Sequence, residues 1–424
     1  MTTFNISRLV GVLALAAAAS LAAPVTTVPW NGKTGAVSFT YDDARNSHVP
    51  NLIAQLDSVG VKATFFVCET GVGGSFTPKL SGWLQAARNG HEVANHTRNH
   101  TNITDGNAAT TTKDWADHLR SLDTTVRSAT FAYPNCAYPG TTGYNGVSAE
   151  NFIARGCHSS NSTNYAWATQ PANWMRVDAL IMSPTNNNTG ITLLRNSKTQ
   201  NRWAVILIHD VADPTPDQYS ITPASNLQLL KTAIDSGLWI DTYERIGAYY
   251  RAHFTMDTAQ AVTFGNGKRV QWISPHPRMP SSVPLKVRLD AAVFGDSAVV
   301  VQNGRLIPRA ADSTYVIDFM KLQMEVYPKG TVAVSPASRG VFADTRARVD
   351  GRMLRLNGLS AGIWSVSLHD VTGALVHEGT LRLASDDTEG ALALRAAPRT
   401  GVHQVTLRRA GNGDVRRLPV MILR

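Results

Sequence analysis

Beyond residue 30 the chain alternates short apolar runs with amphipathic stretches. "AVSFTY" (Ala36–Tyr41) and "KATFFV" (Lys62–Val67) are β-branched and aromatic and read as buried strands. "HEVANH" (His91–His96), "TFAYP" (Thr130–Pro134) and "WAVILIHDV" (Trp203–Val211) read the same way. Between them, helical periodicity runs over Val49–Val59, Pro78–Arg88, Lys113–Arg127 and from Ser225 toward Ile240, with a last helix near Tyr243–His253. Asn89-Gly90 is a good stop for the second of these. Strands alternating with helices predict an α/β domain over residues 30–254, built as a parallel sheet or a β/α barrel. Chemistry then belongs at the C-terminal ends of the strands. Beyond Phe254 the pattern changes to short strands and turns, an all-β module over 255–337. A second β-rich segment, 338–424, has frequent arginine, whereas the last lysine is Lys329.

The N-terminus adds a location. Arg8 precedes "LVGVLALAAAASLAA", and the small residues near Ala22 and Ala23 suit cleavage, so residues 1–23 read as a signal peptide. The rival is a membrane anchor, but the run is short and small-sided. No later stretch approaches the ~20 apolar residues of a span. A secreted or cell-surface protein with no membrane span after leader removal is expected. Cys136 and Cys157 both follow expected strands and form the expected disulfide, leaving Cys68 as a thiol. The net charge of +9 comes without a basic run in the first part or an aromatic–basic motif, so no nucleic acid is expected as a partner.

Candidate chemistry concentrates in "GHEVANHTRNH" (Gly90–His100). A zinc-protease helix needs H-E-x-x-H, but His91 and His96 are five apart and Val93 favours a strand. His96 and His100 are four apart, which puts two imidazoles on one face of a helical turn. Asp42 and Asp43 end the first strand, and His209 ends "VILIH". Two histidines and a carboxylate leave open positions on a metal, as catalysis requires. Each piece has a bland alternative: a surface turn, a helix cap, a core histidine. His91 reads as a packed strand residue.

As an ordered set these residues resemble the polysaccharide deacetylase family, carbohydrate esterase family four, also called NodB-like. The family's T-F-D-D-G stands here as Thr40-Tyr41-Asp42-Asp43-Ala44, its H-[ST]-x-x-H as His96-Thr97-Arg98-Asn99-His100, and its L-x-H as Leu207-Ile208-His209. The resemblance implies a distorted (β/α) barrel, and the β-rich pattern beyond Phe254 adds C-terminal β-sandwich modules to the expected fold. It implies hydrolysis of acetyl groups by metal-activated water, with Asp42 as base and His209 as acid. It implies Asp43, His96 and His100 as ligands of a divalent metal: zinc, with cobalt or nickel as alternatives. The motif R-P-P-Y aligns with Ala132-Tyr133-Pro134-Asn135, which gives the Asn135 N–H to the oxyanion, while Leu207 walls the acetyl methyl. The motif's arginine, which orients the base, is missing at Ala132. Arg176 is expected to reach the base instead, and Asp178 to support His209.

The implied partner is an acetylated polysaccharide, N-acetylated amino-sugar polymers first, with O-acetyl xylan or a non-catalytic sugar-binding relic as alternatives. Tyr133 and Tyr138 flank the third motif and are expected to stack on sugar rings. The last segment, with "SVSLHDVTGALVHEGTL" and an arginine-rich end, resembles the β-sandwich sorting tails of type IX-like secretion. That implies a secretion-machinery partner, against a carbohydrate-binding module or a plain sandwich.

Overall fold

The computed structural model describes residues 23–329 except 71, 73 and 159–163, and 346–422 except 351, 358, 360, 371–373, 385–388, 397, 399–400 and 410–414. The expected signal peptide lies outside the described residues but for its last one, Ala23. The chain divides into two compact units, Met1–Val332 and Ala333–Arg424.

The first unit is built on seven parallel strands: β1 Ala36–Asp42, β2 Thr64–Val67, β3 Glu92–Asn95, β4 Thr130–Ala132, β5 Ile153–His158, β6 Val177–Ile181 and β7 Arg202–Ile208. Each strand pairs with the next, and β7 returns to β1 from Ala36↔Trp203 to Tyr41↔Ile208, which closes the ring. Two short strands, Trp239–Ile240 on the start of β1 and Asn164–Ala166 on the start of β7, extend the sheet at its N-terminal end.

Strand periodicity sorts the side chains. Val37, Phe39 and Tyr41 of β1 pack outward in one apolar layer. That layer also holds Leu56 of α1 (Ile53–Ser58), Trp83 of α2 (Leu80–Arg88), Leu119 of α3 (Ala108–Leu122), Leu194 of α5 (Asn187–Thr199) and Leu229 of α6 (Pro223–Asp235). The fourth helix, α4, is Thr141–Ser148. The alternate residues face the lumen, where Thr40, Asp42, Thr64, Glu92, Thr130 and Arg155 are all buried. Polar groups survive there only when paired.

A seventh helix, α7 (Tyr243–Met256), closes the N-terminal end. Its first amides point into the lumen: Tyr243 N donates to Thr64 Oγ1 at 2.8 Å and Glu244 N to Glu92 Oε2 at 2.9 Å. Glu92 also accepts the Thr64 hydroxyl at 2.7 Å and the Thr130 hydroxyl. It caps the positive end of a helix, which accounts for a buried carboxylate in "HEVAN".

The segment beyond α7 forms a five-stranded antiparallel sheet, Gln260–Phe264 to Tyr327 at its limits, and a three-stranded sheet in which Pro284–Leu289 pairs with both Val25–Thr27 and Tyr315–Asp318. These sheets share one apolar core with α7 and the lumen, including Val25, Tyr249, Met256, Trp272, Val287 and Phe319. The compositional change at Phe254 therefore marks new secondary structure and not a new core.

The second unit has a three-stranded and a four-stranded antiparallel sheet. They enclose Leu354, Leu356, Trp364, Val366, Leu368, Val405 and Leu407. Two such sheets around one core make a β-sandwich. Among the described residues no helix is long and apolar enough to cross a membrane.

Candidate metal centre and active site

Three strand ends converge at the C-terminal mouth of the barrel. β1 ends in Asp42-Asp43, β3 runs into His96, and β7 runs into His209. Asp43 Oδ1 lies 3.4 Å from Nε2 of His96 and 3.4 Å from Nε2 of His100. One ligand atom from each of the three lies within 4.8 Å of the others. Asp43 Oδ1 is buried with no hydrogen-bond partner among the described residues. A desolvated carboxylate oxygen facing two imidazole nitrogens fits a divalent cation with O/N ligands and open positions. His96 Nδ1 lies 2.9 Å from the Ala132 carbonyl. As a donor there, it fixes the ring and leaves Nε2 to ligate.

The charges agree with this assignment. Burial alone would raise the Asp43 carboxyl, but the facing His96 imidazole and the positive fields of His209 and Arg45 hold it well below the usual range. Burial opposes charge on His96, yet Asp42 and Asp43 raise it overall. Burial, then His96, pushes His100 down to about 4. His209 is lowered chiefly by burial, against the fields of Asp42 and Asp43.

The local backbone is bent to deliver these groups. Asp43, Ala44, Thr97 and His100 all have positive φ, at 76°, 52°, 60° and 52°. Such conformations persist only where the surroundings impose them. Thr97 N donates to Asn95 Oδ1 at 2.8 Å, Thr101 N to Thr97 Oγ1 at 2.7 Å, and Asn95 Nδ2 to the Thr112 carbonyl at 2.8 Å. The expected helical turn is thus an irregular one, though it still brings the two imidazoles to 4.9 Å between centroids. Gly74 is obligatory here, because a Cβ would fall 1.7 Å from the Asp43 carbonyl.

Arg155 on β5 was not anticipated from the sequence. Its guanidinium is fully buried over the Phe66 ring and donates to Asp42 Oδ2 at 2.5 Å. Arg176, the residue expected there, is half-exposed. It donates to Asp178 at 3.3 Å and lies 4.0 Å over the Tyr138 ring. Arg155 is the cross-strand partner of Ala132, so the arginine comes from the neighbouring strand at the same level. A lone arginine inside "FIARGCH" was the available signal, since a buried cation demands a buried anion.

Three further expectations are corrected. Asp178 accepts from Arg176 and not from His209, whose Nδ1 is buried without a partner among the described residues. Tyr133 is 1 % exposed and donates to the Met175 carbonyl, so it is core and not a sugar platform. One ring face of Tyr138 carries Arg176, and its hydroxyl is engaged by Cys157. Among the other candidates, Leu207 faces the lumen just before His209, and Asn135 follows Ala132 in a left-handed turn with φ 53°. His209 is anchored by His48 Nε2 at 2.6 Å from its carbonyl. Arg45 joins Asp43 Oδ2 at 3.0 Å to Asp217 Oδ2 at 3.2 Å. His91 contacts Asp57 at 3.2 Å and accepts from Ala63 N, well outside the centre.

The polysaccharide deacetylase family model matches residues 31–150. A "Probable peptidoglycan-N-acetylglucosamine deacetylase" of Arthroderma benhamiae is 34% identical over 92 residues, which cover 20% of this chain and 21% of that protein. A "Gellan lyase" of a Bacillus species is 27% identical over 308 residues, 65% of this chain and 12% of that protein. This chain thus spans a small part of either relative. Among solved structures, the chitin deacetylase of Colletotrichum lindemuthianum is 15% identical with a TM-score of 0.35, covering 50% of this chain and 86% of that one. The esterase domain of a multidomain xylanase from the hindgut metagenome of Trinervitermes trinervoides is 18% identical at 0.33, covering 49% and 87%. The match to the polysaccharide deacetylase family over residues 31–150 takes in Asp42, Asp43, His96, His100 and the Ala132–Asn135 segment.

Proposed function

We propose that the protein is a secreted, metal-dependent polysaccharide deacetylase that hydrolyses N-acetyl groups on amino-sugar polymers. The observation that carries this reading is the grouping of Asp43, His96 and His100 beside an Asp42–Arg155 pair at one barrel mouth. The peptidoglycan deacetylase relative supports the N-acetyl preference. Asp43, His96 and His100 would hold a divalent cation, zinc foremost, which would supply Lewis acidity to activate water near neutral pH.

The remaining work falls to the chain's own groups. Arg155 holds Asp42 by Oδ2, while Asp42 Oδ1 is buried with no partner among the described residues. That oxygen takes the proton of the attacking water. The Asn135 N–H donates to the developing oxyanion. Leu207 excludes water from the acetyl methyl. His209 passes a proton to the departing nitrogen, so that amide and water become acetate and amine. The C-terminal sandwich serves export.

The test is acetate release from chito-oligomers, peptidoglycan and acetylated xylan, with bound metal measured on the same sample. Release from the first two confirms the reading, and release from xylan alone moves it to an O-acetyl esterase. Metal-free protein that stays silent after zinc addition would make it a sugar-binding relic. Deleting residues 339–424 should block export; lost polymer binding with normal export would make the sandwich a binding module.

A further inference from the structure

We propose that the Cys136–Cys157 disulfide is a positioning element of the active site, holding the oxyanion-side turn at Asn135 against the strand that carries Arg155. The inference rests on the deacetylase reading above. With arginine at Ala132, the group that orients the base and the group that receives the oxyanion would sit on one continuous segment. Here they do not. The arginine has moved to β5, and the turn follows β4.

Sheet pairing alone registers these two segments poorly. β4 pairs with β5 over three residues, and the last pair is Ala132↔Arg155. Beyond it the chain leaves the sheet, and Asn135 and Cys136 both take left-handed conformations, with φ of 53° and 54°. Among the described residues no ladder continues into the turn, which is tied by Tyr133 N to the Arg155 carbonyl at 3.3 Å and by Asn135 Nδ2 to Asn102 Oδ1 at 2.8 Å, and two adjacent left-handed non-glycine residues are unfavourable by themselves. The disulfide closes immediately after Asn135 and two residues after Arg155, with the two Cα atoms 5.7 Å apart.

Tyr138 adds a second fastening to the same strand residue. Its hydroxyl accepts from Cys157 N at 2.7 Å and donates to the Cys157 carbonyl at 2.9 Å. Gly156 makes the room. A Cβ there would fall 2.0 Å from Asp178 Oδ1 and 3.0 Å from the Tyr138 hydroxyl. Covalent bond, tyrosine and glycine therefore all act on one short span, between the base's arginine and the oxyanion's turn. An oxyanion donor loses much of its value when displaced by a fraction of an ångström, so this clamp belongs to catalysis as well as to the fold.

The tie can be opened without touching any group assigned to the chemistry. Tris(2-carboxyethyl)phosphine supplies two electrons and water supplies two protons, giving two thiols and the phosphine oxide. The phosphine does not bring competing thiol ligands to the metal. Wild-type protein is assayed oxidised, reduced under excess zinc, and re-oxidised, with the folded fraction read by circular dichroism and thermal melting. The expected result is a fall in kcat per folded molecule of about tenfold or more on reduction. KM should stay within about threefold, because uniform binding is not lost, and re-oxidation should restore the rate. Cys136→Ser/Cys157→Ser should show the same loss with no phosphine present. Unchanged kcat in the folded, reduced protein, or a loss fully accounted for by unfolding, overturns the proposal. Oxidised wild-type protein that releases no acetate overturns the deacetylase reading itself, and this inference with it.

Discussion

Asp42 and Asp43 at the mouth of the barrel and Glu92 and Glu244 at its floor are all buried, but their surroundings differ. At the mouth each aspartate has a cation: Arg155 on Asp42, and Arg45 with His96 on Asp43. At the floor Glu92 is held by the Thr64 and Thr130 hydroxyls and a helix amide. Glu244 has Arg127 at 3.8 Å, and its Oε1 is buried without a partner among the described residues. Burial, then the field of Glu92, pushes Glu244 up to about 7. Burial likewise raises Glu92. Buried acid is therefore not by itself a sign of chemistry. What separates the two ends is whether the charge is kept and aimed.

The comparison breaks most severely at the mouth. His96→Ala should abolish stoichiometric metal binding and cut acetate release by at least about 10³-fold, read by metal analysis and acetate assay. Arg155→Ala should lower kcat about 10²-fold by loosening the base. It should also cost about 3–5 kcal/mol in denaturant melts, because Asp42 is left buried and unpaired. Arg176→Met should change kcat by less than about twofold; a large loss there would reverse the assignment of Arg155.

The floor should answer to pH instead. Below about pH 4.5 the Glu244 carboxyl is protonated in folded and unfolded chains alike. From there to about 7 the unfolded chain releases a proton that the folded chain keeps. The folded state's advantage at this carboxyl is thus full at low pH and lost as pH rises through about 7. Glu244→Gln should flatten that slope and stabilise the protein by roughly 1–3 kcal/mol at pH 8, with kcat unchanged. Melts of both proteins at pH 4.5 and 8 decide it. Smallest of all, His91→Gln should cost about 1 kcal/mol of stability and less than about twofold in rate, since His91 joins Asp57 to Ala63 and packs edge-on to Phe65, away from the metal ligands.

The alternation of strands and helices and the two strand-end motifs were legible because each is local. Periodicity marked the strands, and His96 and His100 sit within five residues of each other. What stayed hidden was set by register between strands. Arg155 faces Asp42 because β5 lies beside β4 with Ala132 opposite Arg155, a relation no spacing rule encodes. The misreading of Tyr133 had the same source, for its hydroxyl is used by Met175, forty-two residues away. The role of Glu92 needed α7, whose first turn arrives from residue 244.

Tyr249 on α7 donates to the Val28 carbonyl at 2.6 Å, and Val25–Thr27 is zipped to Pro284–Leu289, so the stretch before the barrel is held by a strand that follows it. The barrel therefore does not stand as a freestanding cassette ending near residue 254. In grafting, fusion or domain exchange, the transferable part is the barrel together with its all-β neighbour, and recombination breakpoints are tolerated best after residue 327.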